Sequence, residues 1–179
     1  MKIPIRKRLA LKWAQRNVHP AAELHRPLAF RSQGAGLTRV LVVFPEDQTY
    51  FRIAQFFLRT VLANPGMVVH VLGKTSLEAL AWIRDQATVK TYAVEDFNWW
   101  GLPRPETLSR IYNQPYDAVV DLNPEFNLPS ATLVWYSRAP LRVGFKSEYS
   151  YEFYNLEVDR KPESFIEQGY VNIQKILGL

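Results

Sequence analysis

The sequence predicts a single α/β domain of three layers built on a mostly parallel sheet, and three observations predict it. Val40–Val43 and Ala118–Leu122 are short, Val-rich runs with the unbroken apolar character of strands buried on both faces. Runs of this kind alternate along the chain with segments whose apolar residues recur at helical spacing. Tyr116 to Phe145 reads as one β-α-β unit, with a Pro-bounded crossover at Leu128–Arg138 and a return strand at Leu141–Phe145. A length of 179 residues allows one substantial core and is short for two, while 47% apolar and 22% charged residues exclude a disordered chain.

In order along the chain, residues 1–31 form a basic arm and 38–179 the main domain. From Pro4 to about Val18 the arm has helical spacing, with Ile5, Leu9 and Trp13 on a stripe beside Arg6, Lys7, Arg8, Lys12 and Arg16. Gly34 and Gly36 mark a connection into the first strand, Arg39–Phe44. After the polar turn Glu46–Thr49, Tyr50–Ala63 is a helix capped by Asp47 or Thr49 and ended by Asn64-Pro65-Gly66. Met67–Leu72 is the second strand. Thr75 and Glu78 then have the spacing of a capping box, which predicts a helix carrying Leu77, Leu80, Ala81 and Ile83 onto the sheet. Val89–Ala93 is a short third strand, and Pro105–Tyr112 a short helix. Asn127 can cap the crossover helix. Phe153–Val158 reads as an edge strand, and a final helix buries Phe165, Ile166, Tyr170, Ile173, Ile176 and Leu177. Phe97, Trp99 and Trp100 with Tyr149, Tyr151, Phe153 and Tyr154 supply aromatic area for a core, a homodimer seam or a ligand pocket.

Charge is unevenly placed. The arm holds 8 of the 22 Lys and Arg residues and 1 of the 17 Asp and Glu residues, net +7; the other 148 residues hold 14 and 16, net −2. Attraction to an anionic partner therefore belongs to the arm. Arg6, Lys7, Arg8, Lys12, Trp13 and Arg16 are its candidate surface for an anionic membrane or a protein partner, with packing on its own domain as the alternative. The neutral main domain argues against nucleic acid. No apolar run is long enough for a secretory signal core or a membrane span, and the expected location is cytoplasmic, with a peripheral inner-membrane position as the alternative. The absence of cysteine excludes disulfides, thiolate metal sites and Cys nucleophiles, and His19, His25 and His70 are too scattered for a histidine metal centre. No cofactor is expected: no G-x-G-x-x-G follows the first strand, and Gly73-Lys74-Thr75 lacks the glycine-rich wrap of a phosphate loop, so Thr75 is read as a helix cap.

In a sheet wound both ways from its centre, the turns leaving the first and the central strand open together at the carboxyl edge. Glu46, Asp47, Gln48, Asp121, Asn123 and Glu125 are the ligand-binding candidates there, joined by Arg142. Carboxylates so placed accept hydroxyl hydrogens from a sugar, or act as a base when their pKa is raised. They serve equally as helix caps and loop braces, and no catalytic residue is assigned.

The segments Y-D-A-V-V-D-L-N at 116–123 and A-P-L-R-V-G-F at 139–145 resemble the N-terminal domain of the ADP-heptose:lipopolysaccharide heptosyltransferase family, glycosyltransferase family 9. The residues carrying the match are Tyr116, Asp117, Val119–Asn123, Ala139 and Arg142–Phe145, and the similarity extends over about 38–160. The resemblance implies a Rossmann-like domain equivalent to the N-terminal half of a GT-B enzyme. In such enzymes this half largely receives the acceptor and the other half holds the ADP-sugar. It also implies a role in lipopolysaccharide biosynthesis. The family has a G-D pair after its first strand, whose aspartate is the proposed base; here the region reads P-E-D-Q-T, without it. One helix is expected after Val158, so the sequence is expected to lack the donor domain. The expectation is thus a heptosyltransferase-like domain that binds a glycan or related small molecule with weak or no transfer on its own; a non-catalytic membrane- or protein-interaction module is the alternative.

Overall fold

The computed structural model describes residues 36–76, 80–159 and 166–179. Strands β1 (Arg39–Val43), β2 (Val68–Lys74), β3 (Thr88–Tyr92), β4 (Ala118–Asp121), β5 (Leu141–Phe145) and β6 (Leu156–Val158) form one sheet in the order β3-β2-β1-β4-β5-β6. Every pairing is parallel. β1 and β4 lie side by side, Val40 opposite Ala118 and Val43 opposite Asp121. The winding reverses between them.

Alternation along β1 sends Val40 and Val42 to one face and Leu41 and Val43 to the other. The first face is covered by α1 (Phe51–Leu62) and α4 (Ile166–Leu177), which pack on each other. The second is covered by α2 (Pro105–Ile111) and α3 (Leu128–Tyr136). α1 buries Ala54, Phe57, Leu58 and Val61. At about 1.5–3 kcal/mol for each large side chain taken from water, that stripe is what seats the helix. α3 is buried nearly all round, with Ala131, Leu133, Val134 and Trp135 all in the core.

The expected caps form. Asp47 Oδ1 accepts from Thr49 N at 2.9 Å, starting a 3-10 turn at Gln48–Tyr50 that leads into α1. Asn127 Oδ1 accepts from Ser130 N at 3.0 Å at the start of α3.

Three expectations are corrected. β2 continues through Gly73 to Lys74, because Thr75 bonds Tyr92 O of the neighbouring strand through both its N–H (2.8 Å) and its hydroxyl (3.0 Å); its expected capping partner Glu78 lies outside the described residues. Residues 81–86 form turns where a helix is expected, and Leu80 before them is in a 3-10 conformation; Leu80 and Ile83 do cover the sheet, while Leu77, Glu78 and Ala79 lie outside the described residues. Phe153 and Tyr154 belong to the core and not to a strand, which leaves β6 only three residues long. Phe165 and the start of the last expected helix lie outside the described residues.

Gly144 in β5 has a packing reason. A Cβ there would stand 2.4 Å from the Tyr154 ring, so only glycine lets that ring cross the strand. The crossing delivers the Tyr154 hydroxyl to Asp121.

Candidate functional site

The site is assembled from four strand ends on the carboxyl rim. At its base is Asp121, the last residue of β4, fully buried. Its Oδ1 accepts from Asn123 N (2.9 Å) and Nδ2 (2.7 Å), and its Oδ2 from Ser130 Oγ (2.7 Å) and Tyr154 OH (2.8 Å). Four donors fill the carboxylate's good acceptor positions. Burial nonetheless raises its pKa, against the lowering by those bonds. Asp121 therefore braces the loop from beneath.

Asn123 turns that brace outward. With its Nδ2 held by Asp121, its Oδ1 accepts from Glu46 N at 3.0 Å and so joins the loop after β4 to the loop after β1. The Glu46 carboxylate reaches over the ends of β2 and β3. Its Oε1 accepts from Tyr92 OH at 2.9 Å, and its Oε2 lies 3.6 Å from Lys74 Nζ. Burial, then the Glu46 charge, raises the pKa of Tyr92, so the phenol stays protonated and remains a donor. The Glu46 and Lys74 side chains are 25% and 34% exposed, which leaves both accessible from solvent.

Tyr92, Lys74, Glu46 and Asn123 thus leave β3, β2, β1 and β4 as one row. An ionised carboxylate accepts hydroxyl hydrogens, an ammonium donates to hydroxyl or anionic oxygens, and the row offers both within one short span. Among the described residues there is no group of three or more His, Asp or Glu able to hold a metal ion.

The remaining candidates fall elsewhere. Asp47 and Gln48 are exposed on the β1 loop, where Asp47 serves its cap; hydrogen bonds from Thr49 hold its pKa below the usual value. Glu125 is exposed on the β4 loop. Arg142 is buried at the start of β5 opposite Val119, two positions and roughly 7 Å short of the rim. It donates to Ala139 O at 2.9 Å and to Phe153 O at 3.2 Å, and burial lowers its pKa. Arg6, Lys7, Arg8, Lys12, Trp13 and Arg16 lie outside the described residues. Of the aromatics, Tyr149, Phe153 and Tyr154 are buried, whereas Trp99 and Tyr151 are exposed.

Sequence reasoning missed Lys74 and Tyr92. Lys74 was absorbed into an apparent phosphate-loop tail, and Tyr92 into a weak strand. Each is the last residue of its strand, and that was the available signal.

A family model, described as a family of unknown function, DUF6913, matches residues 21–175. The chain belongs to the DUF6913 family. A sequence comparison with curated proteins finds no match for it. Among solved structures, the DUF6913 chain is similar to the Escherichia coli heptosyltransferase WaaC with ADP, at 20% identity and a TM-score of 0.57, over 79% of this chain and 47% of that one. WaaC with ADP-2-deoxy-2-fluoro heptose gives 17% and 0.59, over 79% and 49%. A glycosyl transferase family 9 structure from Veillonella parvula gives 18% and 0.60, over 82% and 43%. The chain spans less than half the length of these neighbours. At such identity the likeness establishes a glycosyltransferase-like, Rossmann-like fold.

Proposed function

We infer that the domain is heptosyltransferase-like in more than fold: it binds a glycan or another sugar-containing small molecule on the carboxyl rim, and transfers no sugar, or little, on its own. The observation that carries this reading is the bond from Glu46 N to Asn123 Oδ1, which closes the two loops at the point where the winding reverses. Beside that closure stand a solvent-accessible carboxylate and ammonium, Glu46 and Lys74, suited to sugar hydroxyls and to an anionic substituent respectively.

Transfer is a different demand. It needs donor, acceptor and base in one alignment, and a 1 Å displacement costs about 100-fold in rate. The similar structures are more than twice as long as the portion matched here, and two of them carry ADP or an ADP-sugar analogue. A cytoplasmic place in lipopolysaccharide biosynthesis follows from the same reading.

Amide chemical shifts of the full chain, titrated with ADP-glucose and with short heptose- or hexose-containing oligosaccharides to about 10 mM, test it. Shifts should concentrate at Glu46, Lys74, Tyr92 and Asn123, and Glu46→Gln should weaken binding about tenfold, the worth of a charge-assisted hydrogen bond. Spectra that stay flat throughout the series would reject a sugar site at this rim.

A further inference from the structure

The Glu46 carboxylate is held in place from its backbone outward. Phe44 N donates to Leu72 O at 2.7 Å, which carries the pairing of β1 with β2 one residue past the strand, and Glu46 N is fixed on Asn123 Oδ1 at 3.0 Å. Pro45 between them restricts its own φ. At the far end of the side chain, Oε1 accepts from Tyr92 OH at 2.9 Å. Tyr92 is 2% exposed and its ring meets that of Phe97 edge-on at 5.8 Å, so the phenol is a fixed anchor. With its amide and one oxygen engaged, Glu46 presents Oε2 in a defined direction.

Oε2 faces Lys74. Lys74 is the register partner of Tyr92 at the ends of β2 and β3, so the two side chains leave the sheet on the same side. Lys74 Nζ lies 3.6 Å from Glu46 Oε2. At that separation opposite charges attract, but the distance is too long for a hydrogen bond. An acceptor and a donor thus stand side by side at the solvent boundary, each with directions left over for a ligand.

The spacing selects what can bridge them. One hydroxyl bonded to both at about 2.8 Å would have to take them at an angle of roughly 80°, well below the tetrahedral directions of its hydrogen and lone pairs. Two oxygens a hydrogen-bond length apart, roughly 2.8 Å, span the pair without that compression. Neighbouring gauche hydroxyls on a pyranose ring are such a pair of oxygens.

We propose that Glu46 and Lys74 together read a vicinal diol of a pyranose ring, one hydroxyl donating to Glu46 Oε2 and its neighbour accepting from Lys74 Nζ; this rests on the sugar-binding reading above and names the group recognised. An anionic substituent is the other ligand an ammonium takes. In contact with Nζ it would also stand close to the Glu46 charge, a repulsion that a neutral diol escapes. Arg104, the exposed cation of the turn after β3, donates through Nε to Glu95 O at 3.0 Å, and any pull it adds is read by the anionic sugar in the test.

Amide shifts of the full chain are titrated with methyl glucoside, methyl mannoside, methyl galactoside and methyl glucuronide, then with the monodeoxy forms of the tightest neutral glycoside. Loss of either of two adjacent hydroxyls should weaken binding about tenfold, and loss of any other much less. In Lys74→Met, which should keep the parent's spectral dispersion, removing one of that pair should cost nothing further while removing its neighbour still weakens binding. Sensitive hydroxyls on non-adjacent carbons, or a Lys74→Met variant that keeps both losses, would overturn the diol and leave the rim site standing. Tighter binding of the glucuronide than of the glucoside, lost in Lys74→Met, would overturn it in favour of an anion. A rim that answers the oligosaccharides but no methyl glycoside would overturn it as well, since two charge-assisted bonds to one ring would then hold nothing. Flat spectra with both sets would overturn this proposal and the sugar-binding reading together.

Discussion

Replacing Tyr154 by Phe removes one hydroxyl and leaves the ring in place. That hydroxyl donates at 2.8 Å to Oδ2 of Asp121, and the carboxylate is wholly buried, so no water can substitute without rearrangement. A hydrogen bond to a charged group contributes about 1.5–3 kcal/mol. Ser130 Oγ remains as the other donor to the same oxygen, so the loss should lie near the middle of that range, about 2 kcal/mol. For a chain of this size that corresponds to roughly 4–8 °C in Tm. The sign of the pH dependence is also fixed. Burial already raises the Asp121 pKa, and deleting a bond that favours the anion raises it further. The folded protein then takes up this proton before the unfolded chain does as pH falls. The cost of the buried charge is full above the folded pKa and absent below the unfolded value of about 3.9. Urea unfolding of parent and variant between pH 7.5 and 4 should show a gap that narrows in acid, at unchanged m. A gap under about 0.5 kcal/mol at neutral pH, or one that widens on acidification, would refute the role given to Tyr154.

Gly144→Ala drives a methyl group to within 2.4 Å of the Tyr154 ring, and such overpacking should cost about 1–3 kcal/mol in the same assay. In the double variant with Tyr154→Phe the two losses should be less than additive, because both displace the same contact with Asp121. His70 is buried, with Nδ1 2.8 Å from Tyr116 OH and 3.0 Å from Gln114 Nε2; burial, then the charges of Lys90 and Arg39, lower its pKa. Its stabilising contribution is therefore present above the unfolded pKa of about 6.5 and lost as pH falls through the folded value. His70→Gln should flatten the fall in stability between pH 7.5 and 5, and parallel slopes would show that His70 is not its source.

The buried strands were the legible part of the fold. β1, β4 and β5 are short runs buried on both faces, mostly apolar and bounded by Pro45, Asp117 and Pro140, so they carry no competing helical period. Local signals misled where tertiary partners took over the groups they relied on. Thr75 has the spacing of a cap, but Tyr92 O lies within reach and claims it. Phe153 and Tyr154 have strand propensity, but the gap above Gly144 draws the Tyr154 ring into the core. Lys90, polar in an edge strand, is held by Ile111 O at 2.5 Å and Asn113 Oδ1 at 2.6 Å, contacts contributed from about twenty residues away.

For the candidate site, topology was legible and orientation was not. The reversal of winding places the loops after β1 and β4 together whatever their side chains do. Which carboxylate faces solvent depends on donors supplied from elsewhere. Asp121 is enclosed because Ser130 and Tyr154, 9 and 33 positions onward, donate to it, while Glu46 remains accessible because only one of its oxygens meets a protein hydroxyl. The two segments that resemble heptosyltransferases contain Asp121, Asn123 and Gly144, and each has a structural task. Gly144 admits the Tyr154 ring, that ring's hydroxyl and Ser130 hold Asp121, and Asp121 holds Asn123 at the height where it accepts the Glu46 N–H. Similarity in these residues therefore reports the brace beneath the rim. The rim groups Glu46, Lys74 and Tyr92 lie outside the two segments that carry the resemblance, so a ligand measured there would be evidence beyond those segments.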